Sequence, residues 1–153
     1  MVYANREHLR RSAQTKKLAA SALISGRQSH PVPAVYLSHV ALECALKHRI
    51  LVRQKGATHV GDLRRYLPKE DFEALFSGTT GHDLHRLEQT AGLRRCLVAS
   101  GNEALLKGRD WRNMGGQRPY SLRYGTEAVT VQHARDEVVL AAKLADLILQ
   151  EAT

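Results

Sequence analysis

Apolar residues recur at helical spacing along most of this chain, and no stretch alternates apolar and polar residues with the length and β-branched content of a strand. Asn5–Ser25 predicts a first helix, with Asn5 as N-cap and Gly26 as the residue past its end. Its apolar stripe is Leu9, Ala13, Ala20, Leu23 and Ile24. Gly26–Pro33 carries Pro31 and Pro33 and predicts a loop. Ala34–Gln54 predicts a second helix that ends near Gly56. Asp62–Leu67 predicts a short helix capped by Asp62 and stopped before Pro68, followed by a helical piece at Lys69–Phe76 and turn residues at Ser77–Thr80. A third main helix is expected to run from Thr80 to Thr90, with Thr80 as N-cap and Asp83 at N3. Gly92 breaks it, and Leu93–Lys107 predicts another helix that ends at Gly108. Thr126–Glu151 predicts the last. Its polar strip is narrow: Gln132, Asp136, Lys143, Asp146 and Gln150. The expected architecture is a single all-α domain over residues 1–153, an up-and-down bundle with one long irregular loop before the C-terminal helix.

The second helix is the most unusual element. Ala34–Ile50, AVYLSHVALECALKHRI, is apolar nearly all round, so it must be buried, yet Glu43 and Lys47 stand one turn apart within it. A buried carboxylate and ammonium need hydrogen-bonding partners. His82, at the start of the third helix, and Arg123, in the irregular loop, are the candidates, and Asp83 caps that same helix start. Glu43, Lys47, His82 and Asp83 are therefore expected to form a polar network bracing the bundle.

Composition sharpens this picture at a few points. Hydrophobic residues make up 43% of the chain against 4 Pro and 11 Gly, which excludes a disordered chain. No apolar run approaches the length of a membrane span, and Met1–Gly26 lacks the continuous apolar core of a secretory leader. Cys44 and Cys96 lie among apolar neighbours and are expected to be free, buried thiols in a reducing cytoplasm. The formal net charge of +8 is unevenly placed: residues 1–55 hold ten Lys/Arg against two acids, Glu7 and Glu43, whereas residues 56–153 hold thirteen of each sign. Arg6, Arg10, Arg11, Lys16 and Lys17 make the first helix a basic face, suited to a polyanion and equally consistent with a solvated surface.

The irregular segment Arg109–Gly125 concentrates four arginines, two tyrosines, the only Trp and the pair Gly115–Gly116. Guanidinium forks grip phosphate oxygens, tyrosine rings stack on bases, and glycines let backbone amides approach an anion. Arg112, Arg118, Tyr120, Arg123 and Tyr124 are the candidate nucleotide- or anion-binding set, with dimer contacts and the capping of helix C-termini as the structural alternative. His82 and His85 share a helix face, but no further ligand follows at metal-binding spacing, so no metal is expected; nor is any cofactor, because no phosphate-binding glycine loop or nucleophile elbow is present.

Three pieces, VALECALKHRI at Val40–Ile50, GHDLHRLEQTAGL at Gly81–Leu93 and LRYG at Leu122–Gly125, resemble a HEPN-domain protein (higher eukaryotes and prokaryotes nucleotide-binding) in order and spacing, over a region from about Ala34 to the C-terminus. The resemblance implies a helical bundle, usually a homodimer, associated with nucleotide or RNA biology, with relatives in toxin–antitoxin and nucleotidyltransferase-associated systems. Ribonuclease members carry Arg, four to six residues, then His near the last helix. Here Arg135 is followed at that distance by Leu140, Ala141 and Ala142. The same spacing occurs at Arg53–His59, which does not correspond to the family's active site. The expected function is therefore a non-catalytic nucleotide- or RNA-associated module. The alternatives are an interaction module presenting Leu144 and Leu147 of the last helix to a second subunit or a partner protein such as a nucleotidyltransferase, and a diverged ribonuclease using Arg53 and His59.

Overall fold

A computed structural model describes residues 3–76, 83–107, 121–122, 125 and 128–151. The first helix, α1 (Arg6–Ser25), begins where Asn5 caps it: the Asn5 side chain accepts from His8 N at 2.9 Å, and His8 Nδ1 accepts in return from Asn5 N at 3.5 Å. Leu9, Ala13, Ala20 and Ile24 form its buried stripe, at spacings that keep them on one face. Gly26 follows with φ −69° and ψ 169°, extended backbone open to any residue, so the expected left-handed glycine cap is not used.

The second helix, α2 (Pro31–Arg53), starts earlier than the two prolines suggest. They stand in its first turn, where backbone N–H groups lack an intrahelical acceptor anyway, so they open the helix rather than extend a loop. Its interior from Ala41 through His48 is buried on every side. This is possible because α2 packs at once against α1, α4 (Leu84–Ala91) and the last helix, α7 (Val131–Glu151).

The connection after α2 is stitched back onto the start of α1. Val60 N donates to Ala4 O at 2.9 Å, and Asn5 and His59 form an isolated antiparallel bridge. A 3₁₀ turn then runs from Val60 to Arg65, two residues earlier than expected. Asp62 caps it from within its first turn, accepting from Thr58 N at 2.8 Å, His59 N at 3.0 Å and Thr58 Oγ1 at 2.9 Å. These bonds hold the Asp62 carboxyl down at about 2. The expected short helix follows as α3 (Lys69–Phe76).

Asp83 is itself the N-cap of α4, accepting from Arg86 N at 3.1 Å, rather than an N3 residue behind Thr80. Thr80 and His82 lie outside the described residues. Gly92, with φ +62°, closes α4 and turns directly into α5 (Leu93–Ala99). The single helix expected over Leu93–Lys107 is broken: Asn102 N bonds Leu97 O at 2.7 Å and Gly101 N bonds Val98 O at 3.1 Å around Gly101 at φ +74°, before α6 (Ala104–Lys107). That pair of bonds is a Schellman cap, and the glycine in Ser100–Gly101–Asn102 provides its left-handed residue.

The helix α7 begins at Val131, not Thr126; Thr130 caps it by accepting from His133 N at 3.2 Å, and residues 128–130 precede it without helical structure. Leu144 is fully buried in the main core, so it supports the fold and is not offered to a partner, whereas Val139 is 54% exposed.

Among the described residues every regular element is helical, and none is long and apolar enough to cross a membrane. The core has two parts. The larger joins the start of α1, the latter half of α2, α3, α4, α5 and α7. The smaller joins Ala20, Ile24, Ala34, Val35, Ala134 and Val138 with Leu122, at the opposite end of the α1–α2 hairpin.

Candidate functional site

Lys47 Nζ stands 2.6 Å from Glu43 Oε1, with both residues almost fully buried. The ammonium also lies 5.7 Å from the centroid of the Phe76 ring, so part of its lost hydration is replaced by the face of an aromatic on α3. Of the four residues expected in this network, Glu43 and Lys47 meet. Asp83 makes its described bond to the α4 backbone, and His82 lies outside the described residues.

The five basic residues of α1 separate into distinct roles. Arg11 pairs with Glu7 at 3.3 Å on an exposed surface, where such a pair contributes little. Lys17 reaches Asp146 on α7 at 2.6 Å and ties the two helices together. Arg6 donates to Ala57 O at 3.1 Å and pins α1 to the loop after α2. Arg10 and Lys16 have no ion pair among the described residues.

These two cations border an unusual seam. His48 of α2 is 5% exposed, and its Nδ1 has no hydrogen-bond partner among the described residues. Burial lowers its pKa first, and the positive charges of Arg10 and then Arg6 lower it further, so the ring stays neutral. One turn earlier, Cys44 lies 3.5 Å from Ser12 Oγ of α1, and burial pushes its thiol up. Cys44 and Cys96 are both buried and form no disulfide, as expected of them, and the Cys44 thiol, held protonated, is a poor nucleophile. His85 stands 3.8 Å from Glu88 Oε2, and among the described residues no three His, Cys, Asp or Glu side chains gather as a metal site.

At the far end of α2 stand residues that sequence reasoning did not single out for this role. Arg49 Nε and Arg53 Nη1 both donate to Ala91 O, at 2.9 and 2.7 Å, and so converge on the C-terminal end of α4. Their spacing of one helical turn was the available signal, but only the packing of α4 on α2 gives it a target. The same contact separates Arg53 from His59: the former faces α4 and Gly92, while the latter bridges to Asn5 and bonds Thr58 Oγ1 at 2.9 Å. Arg112, Arg118, Tyr120, Arg123 and Tyr124 lie outside the described residues, although Leu122 within that stretch packs into the smaller core.

The chain matches no family model, no curated protein and no solved structure.

Proposed function

We propose that this protein is a non-catalytic helical module that associates with nucleic acid of the RNA class, built on a HEPN-like bundle. The observation that carries the reading is the seam between α1 and α2. There Arg10, beside a neutral His48, and Lys16, near Cys44, have no carboxylate partner among the described residues, in a part of the chain where ten cations face two acids, and both acids, Glu7 and Glu43, are already engaged with Arg11 and Lys47. An uncompensated cationic face of this kind attracts a phosphate backbone by releasing its counterions. The Arg/Tyr stretch over Arg109–Gly125 belongs to the same proposal as an additional anion contact, and a toxin–antitoxin or defence setting, with a nucleotidyltransferase as neighbour, belongs to its HEPN part.

The test is binding of a labelled single-stranded RNA at increasing salt. Affinity should fall steeply as salt rises, weaken in Arg10→Ala/Lys16→Ala, and leave the RNA intact. Salt-insensitive binding, or none, removes the proposal. RNA cleavage that disappears in His59→Ala would replace it with the ribonuclease reading.

A protein-contact role rests on one observation, the exposure of Val131 and Val139 on the outer side of α7. A two-fold dimer through that face would show as twice the monomer mass by light scattering, lost in Val139→Asp.

A further inference from the structure

An open groove of about 690 Å³ lies where the end of α2 meets the junction of α4 and α5, and four of its lining residues are arginines: Arg49, Arg53, Arg94 and Arg95. Its described lining holds no carboxylate and no aromatic ring. Among the described residues the sole acid paired with any of the four is Glu103, whose Oε1 stands 3.7 Å from Arg94 across an exposed surface.

Capping α4 accounts for part of this arrangement. A terminal carbonyl at the negative end of a helix is well served by a single cationic donor. Here two guanidinium groups share Ala91 O, and two more stand on α5 with no hydrogen bond to a carbonyl among the described residues. Each anchored arginine spends one N–H on Ala91, and its four other donors have no partner among the described residues. Anchoring also fixes the forks before a ligand arrives, which lowers the ordering cost of gripping an anion.

Gly92 lines the groove between these arginines. Gly92 sits at φ +62°, and a Cβ there would fall 2.5 Å from Arg53 Nη1. The guanidinium of Arg53 lies where any other residue's side chain would be.

We infer that this groove binds the phosphodiester backbone of a single nucleic-acid strand through the guanidinium groups of Arg49, Arg53, Arg94 and Arg95. Several forks spread along an open groove suit successive phosphates, and bidentate geometry suits their paired oxygens. With no aromatic platform among its described lining residues, the groove reads backbone and not base identity. This site rests on the nucleic-acid reading above, deepens it, and is distinct from the α1–α2 seam.

The experiment measures binding of a labelled oligo(U) strand to the full chain at several salt concentrations, by anisotropy. The variant Arg94→Ala/Arg95→Ala removes two exposed groove cations while leaving the Ala91 cap intact. It should raise the dissociation constant about tenfold or more at low salt and reduce the salt slope by about 1.4, at about 0.7 per lost phosphate contact on a single strand. Lys69→Ala/Lys143→Ala removes the same charge elsewhere and should change affinity less than threefold. Arg49→Lys keeps the charge but loses the fork, and should weaken binding although the charge is unchanged.

Equal losses in the groove and the remote pair, or an unchanged affinity in Arg94→Ala/Arg95→Ala, overturn the groove. Binding lost in Arg10→Ala/Lys16→Ala alone overturns it too, while the nucleic-acid reading stands. No binding by the unaltered chain removes both. Competition by a nucleoside monophosphate as effective as the strand would place a terminal phosphate there and overturn the backbone assignment.

Discussion

Lys47 donates to Glu43 at 2.6 Å across one turn of α2, and the two side chains retain only 3% and 4% of their surface. A pair this deep differs in kind from an exposed i,i+4 pair. Taking both charges out of water costs several kcal/mol per ion, and their mutual attraction offsets that only while both are present. Lys47→Met should therefore lose about 3–5 kcal/mol of stability, because it leaves a buried carboxylate without its cation. The double variant Glu43→Leu/Lys47→Met should recover most of that loss. Urea denaturation measures both, and a single variant costing under about 1 kcal/mol would show that the pair is hydrated.

Gly92 supports a second prediction. Its positive φ admits an L side chain at a cost of about 1–2 kcal/mol. The added Cβ also displaces the Arg53 guanidinium, which stands within 2.5 Å of it. Gly92→Ala should lower stability by about 2 kcal/mol. Arg53→Ala alone should cost less, since Arg49 still serves Ala91 O. Equal stabilities of Gly92→Ala and the unaltered chain, read from denaturation midpoints, would mean that the α4–α5 turn relaxes freely.

Elements governed by local rules were legible in the sequence. Asn5 caps α1, Gly92 ends α4, Lys69–Phe76 is helical, and the apolar girth of α2 announced a central, buried helix. What escaped depended on reading one signal against another. Pro31 and Pro33 suit a loop and a first helical turn equally, and Ser100–Gly101–Asn102 was outweighed by helical residues on both sides. Thr126 and Thr130 each suit a helix start, and the cap bond to His133 selects the latter. The arginine groove was illegible for a stronger reason. Arg49 and Arg53 are separated from Arg94 and Arg95 by about forty residues, and no local pattern states that α4 delivers its last carbonyl to the end of α2. The basic face of α1 was visible as charge, but not that Lys17 is engaged by Asp146 and Arg11 by Glu7.

The neutral His48 makes stability depend on pH in a definite direction. Its pKa in the folded chain lies below the ordinary 6.5, because of burial first and the charges of Arg10 and Arg6 next. Above 6.5 it is neutral in both states, so its contribution is fully present. As pH falls below 6.5 the unfolded chain takes up the proton first, and stability is lost down through the folded pKa. Glu88 acts oppositely: burial raises its pKa from 4.5, so its contribution is present below 4.5 and declines as pH rises from there. Asp62, held at about 2, keeps its contribution above 3.8 and loses it only in stronger acid. The difference in stability between the unaltered chain and His48→Gln isolates the histidine: it should grow in favour of the variant as pH falls from 7 to 5. A difference that stays constant over that range would place His48 in contact with water.

The phase of α7 is the last point open to a direct test. Leu144 is fully buried in the main core, while Val139, five residues earlier, is 54% exposed. Helical geometry puts positions five apart more than a right angle from each other, so the two side chains report on different faces. Leu144→Ala should cost about 2–5 kcal/mol, from lost transfer energy and the cavity left behind. Val139→Asp should stay within about 0.5 kcal/mol of the unaltered monomer, because its Cβ faces water and Lys143, one turn on, is exposed beside it. If instead a second subunit covers that face, Val139→Asp will halve the mass measured by light scattering while Leu144→Ala will not. A reversed order of the two stability losses would mean that α7 is rotated and that Lys17 cannot reach Asp146 as found.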